Sequence, residues 1–347
     1  MEQFVTSGGP GGRRPTVRDI AAHTGVSIAT VSRVLNGSPH VSPDTRDLVQ
    51  RAIEQLSTRA PKDRTPPADA AQDAVYLRCP YLLTDYFGLI VSSIAETLEL
   101  HGRTLILNAG QGAEHENVLP TLPDRPGIGG AITILPPEPS EELVALRARG
   151  FPFVVIDPRT RMPRDIAAVS AAHFAGARNV TGHLVALGHR RIGVLAGPHN
   201  WLASQDRLAG HASALADAGM LPDPALIRAA EPTTRHGHQA AAELLDLPHP
   251  PTALICFNDK AAVGALAAAT QRGLRVPADL SVAGFDDIDL AQATTPQLTT
   301  VRQPLEEMGR IAVSLLIRLL NGHRLDALHI ELATELVIRD STGPVPR

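Results

Sequence analysis

Past residue 74 the chain alternates between two periodicities. Unbroken apolar runs at 75–79, 104–108, 130–135, 153–156, 191–196, 253–257 and 280–285 read as strands buried on both faces. Between them, stretches near 88–101, 140–149, 173–187, 204–219, 236–246, 260–272 and 304–321 repeat apolar residues at helical spacing. Such alternation predicts an α/β fold, with parallel sheets covered by helices on both sides. About seven to ten strands suit two doubly wound parallel-sheet lobes better than one, and a ligand then belongs in the crevice beyond the strands' carboxyl ends.

The first residues follow a different rhythm. Val17, Ile20, Ala21 and Thr24 fall on one helical stripe, with Thr16 placed to cap it. Gly25 permits a tight turn, Ser27 caps a second helix, and Val31, Val34 and Leu35 give that helix its inward face. Ser42-Pro43-Asp44 opens a third helix, whose stripe is Leu48, Val49, Ala52, Ile53 and Leu56. Residues 58–73 are polar and proline-rich, a linker, and residues 1–15 form a loose basic arm. The organisation expected is therefore an arm (1–15), a small all-α head (16–57), a linker (58–74) and a body (75–345). Within the body, one lobe covers about 75–160 and 291–321, and the other about 161–290 and 322–345.

Apolar residues make up 44% of the chain but aromatics only 3%, so Ala, Val, Leu and Ile must fill the core. The net charge of −4 hides an asymmetry: residues 1–64 hold nine Lys/Arg against six Asp/Glu, and the remainder 23 against 30. A basic head on an acidic body fits nucleic-acid binding at one end and ligand or protein binding at the other. Lys62 and Lys260 are the only lysines. Cys79 and Cys256 each lie in a predicted strand, which favours two buried structural thiols in a reducing compartment. The N-terminus lacks the charged-then-apolar pattern of a secretory signal, and no apolar run spans a bilayer, so the expected location is cytoplasmic, at the nucleoid.

The second helix of the head turns Ile28, Ala29, Ser32 and Arg33 outward. Two short helices at a Gly-containing turn, with small hydroxyls and an arginine outward, present themselves as a helix-turn-helix does to the major groove.

The ordered motifs of this chain resemble those of the lactose/galactose-repressor family of bacterial transcription regulators. They comprise Thr16–Asn36 with Val41–Arg46, His183–Ile192, Arg207–Gly210, Asn258–Ala262, Gly273–Pro277, Ser281–Asp287, Leu298–Pro304 and Thr334–Arg339. The resemblance implies two periplasmic-binding-protein-like lobes behind a helix-turn-helix head. It further implies a homodimer that reads a near-palindromic operator in double-stranded DNA and is controlled by a small-molecule effector, a carbohydrate, between the lobes. Ile28 and Ala29 are similar to the family's base-contact pair, and Arg33 to its groove-facing arginine, whose fork suits guanine O6 and N7. Ser27, Thr30, Ser32, Asn36, Ser42 and Thr45 take the places of phosphate contacts, His40 could serve either task, and Thr16 is also expected at the DNA. In the cleft the resemblance points to Arg207, Asn258 and Asp286, to Phe285 and Trp201 as stacking surfaces, and to Thr84, Asp85, Tyr86 and Phe87 from the first lobe.

Two departures stand out. Relatives continue from the head into a short hinge helix, whereas here Leu56–Pro61 and Pro66-Pro67 replace it. A proline inside a helix costs ~3 kcal/mol, which predicts no such helix and a weakly bent operator. The Asp-Asn pair that commonly binds ligand hydroxyls is replaced by Ala172-His173, leaving His173 either to cap a helix or to touch ligand.

Other chemistry finds little support. His236-Gly237-His238 and Glu114-His115-Glu116 lack metal-ligand spacing, so neither a metal nor a cofactor is expected. No phosphate loop, nucleophile elbow or paired catalytic carboxylates appear, which argues against an enzyme. A solute receptor without regulatory DNA binding is the competing reading, and the helix-turn-helix head disfavours it.

Overall fold

The computed structural model describes residues 74–346 apart from 111, 112, 114, 115, 326 and 327. In the head it describes residues 24, 26, 27, 30, 31, 34, 42, 45–49, 51 and 52. Two compact units emerge, Met1–Asp69 and Ala70–Arg347. Thr16, Ile28, Ala29, Ser32, Arg33, Asn36, His40 and the proline-rich linker lie outside the described residues.

In the head, Ser27 caps the second helix: its Oγ accepts from Thr30 N at 3.2 Å, and its carbonyl accepts from Val31 N at 3.0 Å. Ser42 repeats the device, with its Oγ accepting from Thr45 N at 3.3 Å. Val31, Val34, Val49 and Ala52 are buried as their spacing predicts. Leu48 is not: it is 43% exposed, at the margin of the face that buries Val49 and Ala52.

The body begins with β1 (Ala74–Cys79), α1 (Asp85–Leu100), β2 (Thr104–Ala109), β3 (Ile128–Ile134), α2 (Ser140–Ala148), β4 (Phe153–Ile156) and β5 (Ala167–Ala171). The chain then builds α3 (His173–Ala186), β6 (Ile192–Ala196), α4 (Leu202–Asp217), β7 (Ile227–Ala229), α5 (Thr234–Leu245), β8 (Ala253–Cys256), α6 (Asp259–Gln271) and β9 (Ser281–Ala283). It closes with α7 (Asp289–Ala293), β10 (Thr300–Arg302), α8 (Leu305–Leu320), β11 (His329–Leu332) and β12 (Glu335–Val337).

Two parallel sheets result, in the orders β11-β5-β4-β3-β1-β2 and β7-β6-β8-β9, with β10 and β12 paired antiparallel. Period-two alternation gives each sheet two apolar faces. In β1, Val75 and Leu77 pack with Ile90 and Ile94 of α1 and Met308 and Leu316 of α8, while Tyr76 joins Leu143 and Leu146 of α2 on the other side. In the second lobe, Leu195, Leu254 and Val282 meet the alanine-rich faces of α5 and α6, and Ile192 and Ile255 meet Val180, Leu184 and Leu215 of α3 and α4.

The lobe boundaries fall later than the apolar runs suggested. β5 pairs with β4, and β11 with β5, so residues 167–171 and 329–332 belong to the first lobe rather than the second. The reason is compositional: Ala-Ala-Val-Ser-Ala has too little bulk to stand out as a strand, yet small residues fit between two neighbours. The chain thus crosses between lobes after Ala171, between Arg302 and Leu305, and between Leu332 and Glu335. Both cysteines are buried and unpaired, and burial pushes the Cys79 thiol up to about 12. No helix among the described residues is long and apolar enough to cross a membrane.

Candidate functional site

The carboxyl ends of both sheets face a cleft of about 350 Å³. Leu135, Asp157 and Asp286, each directly or closely following a strand, line it in positive-φ backbone (47°, 46° and 121°), with Asp287 beside them at 57°. These are the only non-glycine residues of that kind among the described residues, and such costly conformations concentrate at functional sites.

Gly210 sets the back wall. A Cβ there would stand 2.2 Å from Phe174 O, so only glycine lets α4 lie directly on α3. That approach brings Arg207, one turn earlier on α4, against His173 at the start of α3. The Arg207 guanidinium carbon lies 3.6 Å from the Phe285 ring centre and 4.4 Å from that of Phe257, between two aromatic faces. Arg207 donates to Phe257 O and, at 3.2 Å, to His173 Nδ1. His173 Nε2 faces Asp157 Oδ1 at 3.1 Å, so the neighbours select the tautomer that donates to the carboxylate. Tyr86 donates its hydroxyl to Asp157 Oδ2.

Burial acts differently on the carboxylates here. It works against ionisation of Asp157, but His173, Tyr86 and Arg207 together outweigh it and hold that carboxyl below its ordinary range. For Asp286 burial wins over Arg207 and the 2.6 Å hydrogen bond from Gln303 Nε2, pushing the carboxyl up to about 7. Asp259, beneath the cleft, is raised well above its usual value by burial and by Asp286; it accepts from Thr300 Oγ1 at 2.6 Å and from Ile288 N at 3.0 Å.

The front of the cleft joins the lobes. Arg159 of the first lobe lies 5.2 Å from the ring centre of Trp201 in the second, and its carbonyl accepts from Leu202 N at 2.7 Å. Tyr81 and Phe87 stack at 4.5 Å, and Tyr81 donates to Leu135 O at 2.8 Å. Lys260 reaches across the opening to Thr84 Oγ1 at 2.6 Å.

Of the residues expected from sequence, Thr84, Tyr86, Phe87, Trp201, Arg207, Asn258 and Asp286 line this cleft. Asp85 opens α1 and is exposed outside the lining, while His173 and Phe285 are buried behind Arg207. Asn258 has little left to offer: Oδ1 caps α6 by accepting from Ala261 N at 2.9 Å, and Nδ2 donates to Pro232 O at 3.2 Å. Tyr81, Asp157, Arg159, Phe257 and Lys260 also line the cleft, unnoticed in sequence. Reading the residue that follows the 153–156 run would have found Asp157, and Phe257 is the last residue of the run 253–257. No group of metal-ligating side chains is assembled among the described residues, and His238 is paired with Gln271 Oε1 at 2.8 Å.

Residues 16–57 match the model for bacterial regulatory proteins of the lacI family, and residues 181–342 that for a periplasmic binding protein-like domain. The HTH-type transcriptional repressor CytR of Escherichia coli (strain K12) is 33% identical over 337 residues, 95% of this chain and 97% of its own length. The chain belongs to the lacI family of bacterial regulatory proteins. HTH-type transcriptional regulator CelR of Thermobifida fusca is 34% identical over 95% of this chain and 98% of its own. Among solved structures, a transcriptional regulator CelR–cellobiose complex superposes with a TM-score of 0.71 at 33% identity, covering 94% of this chain and 100% of that one. The lac repressor dimer bound to operator and the anti-inducer ONPF also gives 0.71, at 30% identity over 94% and 99%. As a lacI-family member the chain is a DNA-binding transcriptional regulator, with a helix-turn-helix head and an effector-binding body.

Proposed function

We propose that the cleft holds a carbohydrate, and that its occupancy sets the grip of a repressor on a near-palindromic operator. One observation carries this reading. Aromatic faces stand on both walls, Tyr81 and Phe87 opposite Trp201 and Phe257, around the buried polar group of Asp157, Arg207 and Asp286. Apolar ring faces with few convergent hydrogen-bonding groups are what a polyol ring needs, and forked, charge-assisted bonds suit vicinal hydroxyls. A relative with similar lobes binds cellobiose.

Ile28, Ala29 and Arg33 take the base-reading role, and Thr16, Ser27, Thr30, Ser32, Asn36, Ser42 and Thr45 hold the phosphates, with His40 free for either. Two copies act together. The edge strand β2 and helix α1 leave Ile106, Leu107, Leu89 and Leu100 exposed, an apolar face suited to a second copy. The protein works in the cytoplasm, at its DNA, and binds rather than transforms its effector. Ahead of the body the proposed limits are those read from sequence, arm 1–15, head 16–57 and linker to about 74, while the two lobes take the limits that their strand pairing gives.

Effector and operator are coupled by population shift, typically 1–3 kcal/mol or about 5–150-fold in operator affinity. Trp201 is the only tryptophan, so its fluorescence reports occupancy of the cleft directly. Titrating a sugar panel while following Trp201 emission and anisotropy of a labelled upstream fragment tests the reading. One sugar should move both signals at the same concentration. A sugar that moves neither, across the panel, or a protein that binds no duplex at low salt, refutes it.

A further inference from the structure

Resting on the cleft being the effector site, we infer that the effector is an anionic polyol, its phosphate or carboxylate group met by Lys260 at the opening between the lobes. In a chain that draws almost all its positive charge from arginine, one of its two lysines stands here. The Lys260 ammonium touches the neutral hydroxyl Thr84 Oγ1 at 2.6 Å and forms no ion pair among the described residues. Two further N–H donors therefore remain for a ligand oxygen.

The surroundings push the same way. α1, α4, α5 and α6 all begin at the cleft, and their N-cap residues Thr84, Trp201, Thr233 and Asn258 line it. Each turns the positive end of a helix dipole toward the cleft, although α4 gives Leu202 N to Arg159 O, and α6 gives Asp259 N to Phe285 O and Ala261 N to Asn258 Oδ1. Thr84 makes no side-chain cap, so the first N–H groups of α1 are not closed off by their own cap. Arg207 carries a buried Nε with no hydrogen-bond partner at the same wall.

Three carboxylates line the cleft against Arg159, Arg207 and Lys260. Asp157 is spent on Tyr86 and His173, and Asp286 lies deep against Gln303 and Arg207. Glu231 sits exposed on the rim. Charges of both signs line the cleft in equal number, but at the opening the Lys260 ammonium holds only a neutral hydroxyl by hydrogen bond, with Asp286 deeper in its field, and that is a good setting for a charged group.

The test uses the full-length protein and matched ligands: glucose, glucose 6-phosphate and glucuronate, and cellobiose with cellobiose 6-phosphate. Affinities come from calorimetry and Trp201 fluorescence at fixed ionic strength. An anionic member should bind at least about tenfold more tightly than its neutral parent, and the phosphate and uronate arms show which anion is read. Lys260→Met should bring that ratio close to one, Lys260→Arg should retain it, and thermal melts confirm that both variants fold. Neutral sugars binding as tightly as their anionic partners, or a ratio unmoved by Lys260→Met, overturns the inference while the cleft reading stands. If no member binds, the cleft reading fails and this inference with it.

Discussion

Replacing Asp286 with asparagine should stabilise this protein at alkaline pH while weakening its hold on effector. The carboxyl is pushed up to about 7, against ~3.9 in an unfolded chain. Because the folded state retains the proton longer, the folded state binds more protons between those values, and stability falls as pH rises from about 4 to 7. Roughly three pKa units correspond to ~4 kcal/mol, an upper bound for one buried, interacting group. Asparagine removes the charge at similar shape. Gln303 helps, since its Oε1 is buried without a partner and can accept from the new amide. Losing the attraction between Asp286 and Arg207 offsets part of the gain, leaving roughly 1–2 kcal/mol at pH 8 and nothing below about pH 4. Urea unfolding of wild type and Asp286→Asn at pH 5 and 8 measures it. Effector affinity should drop about tenfold or more, as a charged acceptor is lost. A variant less stable than wild type at pH 8, or a difference that does not change with pH, refutes the reasoning.

Other changes should separate packing, tail and reading head. Gly210→Val drives a side chain into the Phe174 carbonyl and should cost at least ~1–3 kcal/mol, visible as a lower melting temperature. Ser341→Ala removes a 2.8 Å acceptor from buried Thr299 N and the donor to Val282 O, costing ~1–3 kcal/mol in denaturant unfolding. His211 is held down to about 4 by burial; its unfolded counterpart takes up a proton first, so stability is lost as pH falls from about 6.5 to 4. His211→Asn should flatten that acid limb by up to ~3 kcal/mol in the same melts. Arg33→Ala should cost ~1–3 kcal/mol of operator discrimination and barely change binding to unrelated duplex, as read by competition anisotropy.

What sequence conveyed depended on bulk. Long Ile, Leu and Val runs announced the central strands of both sheets, because burial on two faces requires them. β5 and β11 were hidden by opposite means: β5 uses alanine and serine to fit between neighbours, and β11 is an edge strand with alternating exposure. In the cleft, Arg207 and Asp286 sit in ordered motifs and were legible. Asp157 was not, since a lone acid after a strand has many uses; Lys260 lies in the Asn258–Ala262 motif, but nothing there tells a cleft lysine from a solvated one. Only the fold shows that Asp157 meets His173 from a different strand, and that Lys260 faces Thr84 from 176 residues away.

The first lobe is discontinuous, and this governs how the chain is made. Its central strands leave the ribosome early, but α8 and the edge strand β11 arrive only with residues 305–332. At ~5–20 residues per second, Ile90, Ile94 and Leu98 wait tens of seconds for the helix that covers them. The nascent polypeptide must carry that uncovered greasy surface through most of translation. Demand for chaperone protection should therefore concentrate on the lobe begun first, which is the last to be finished.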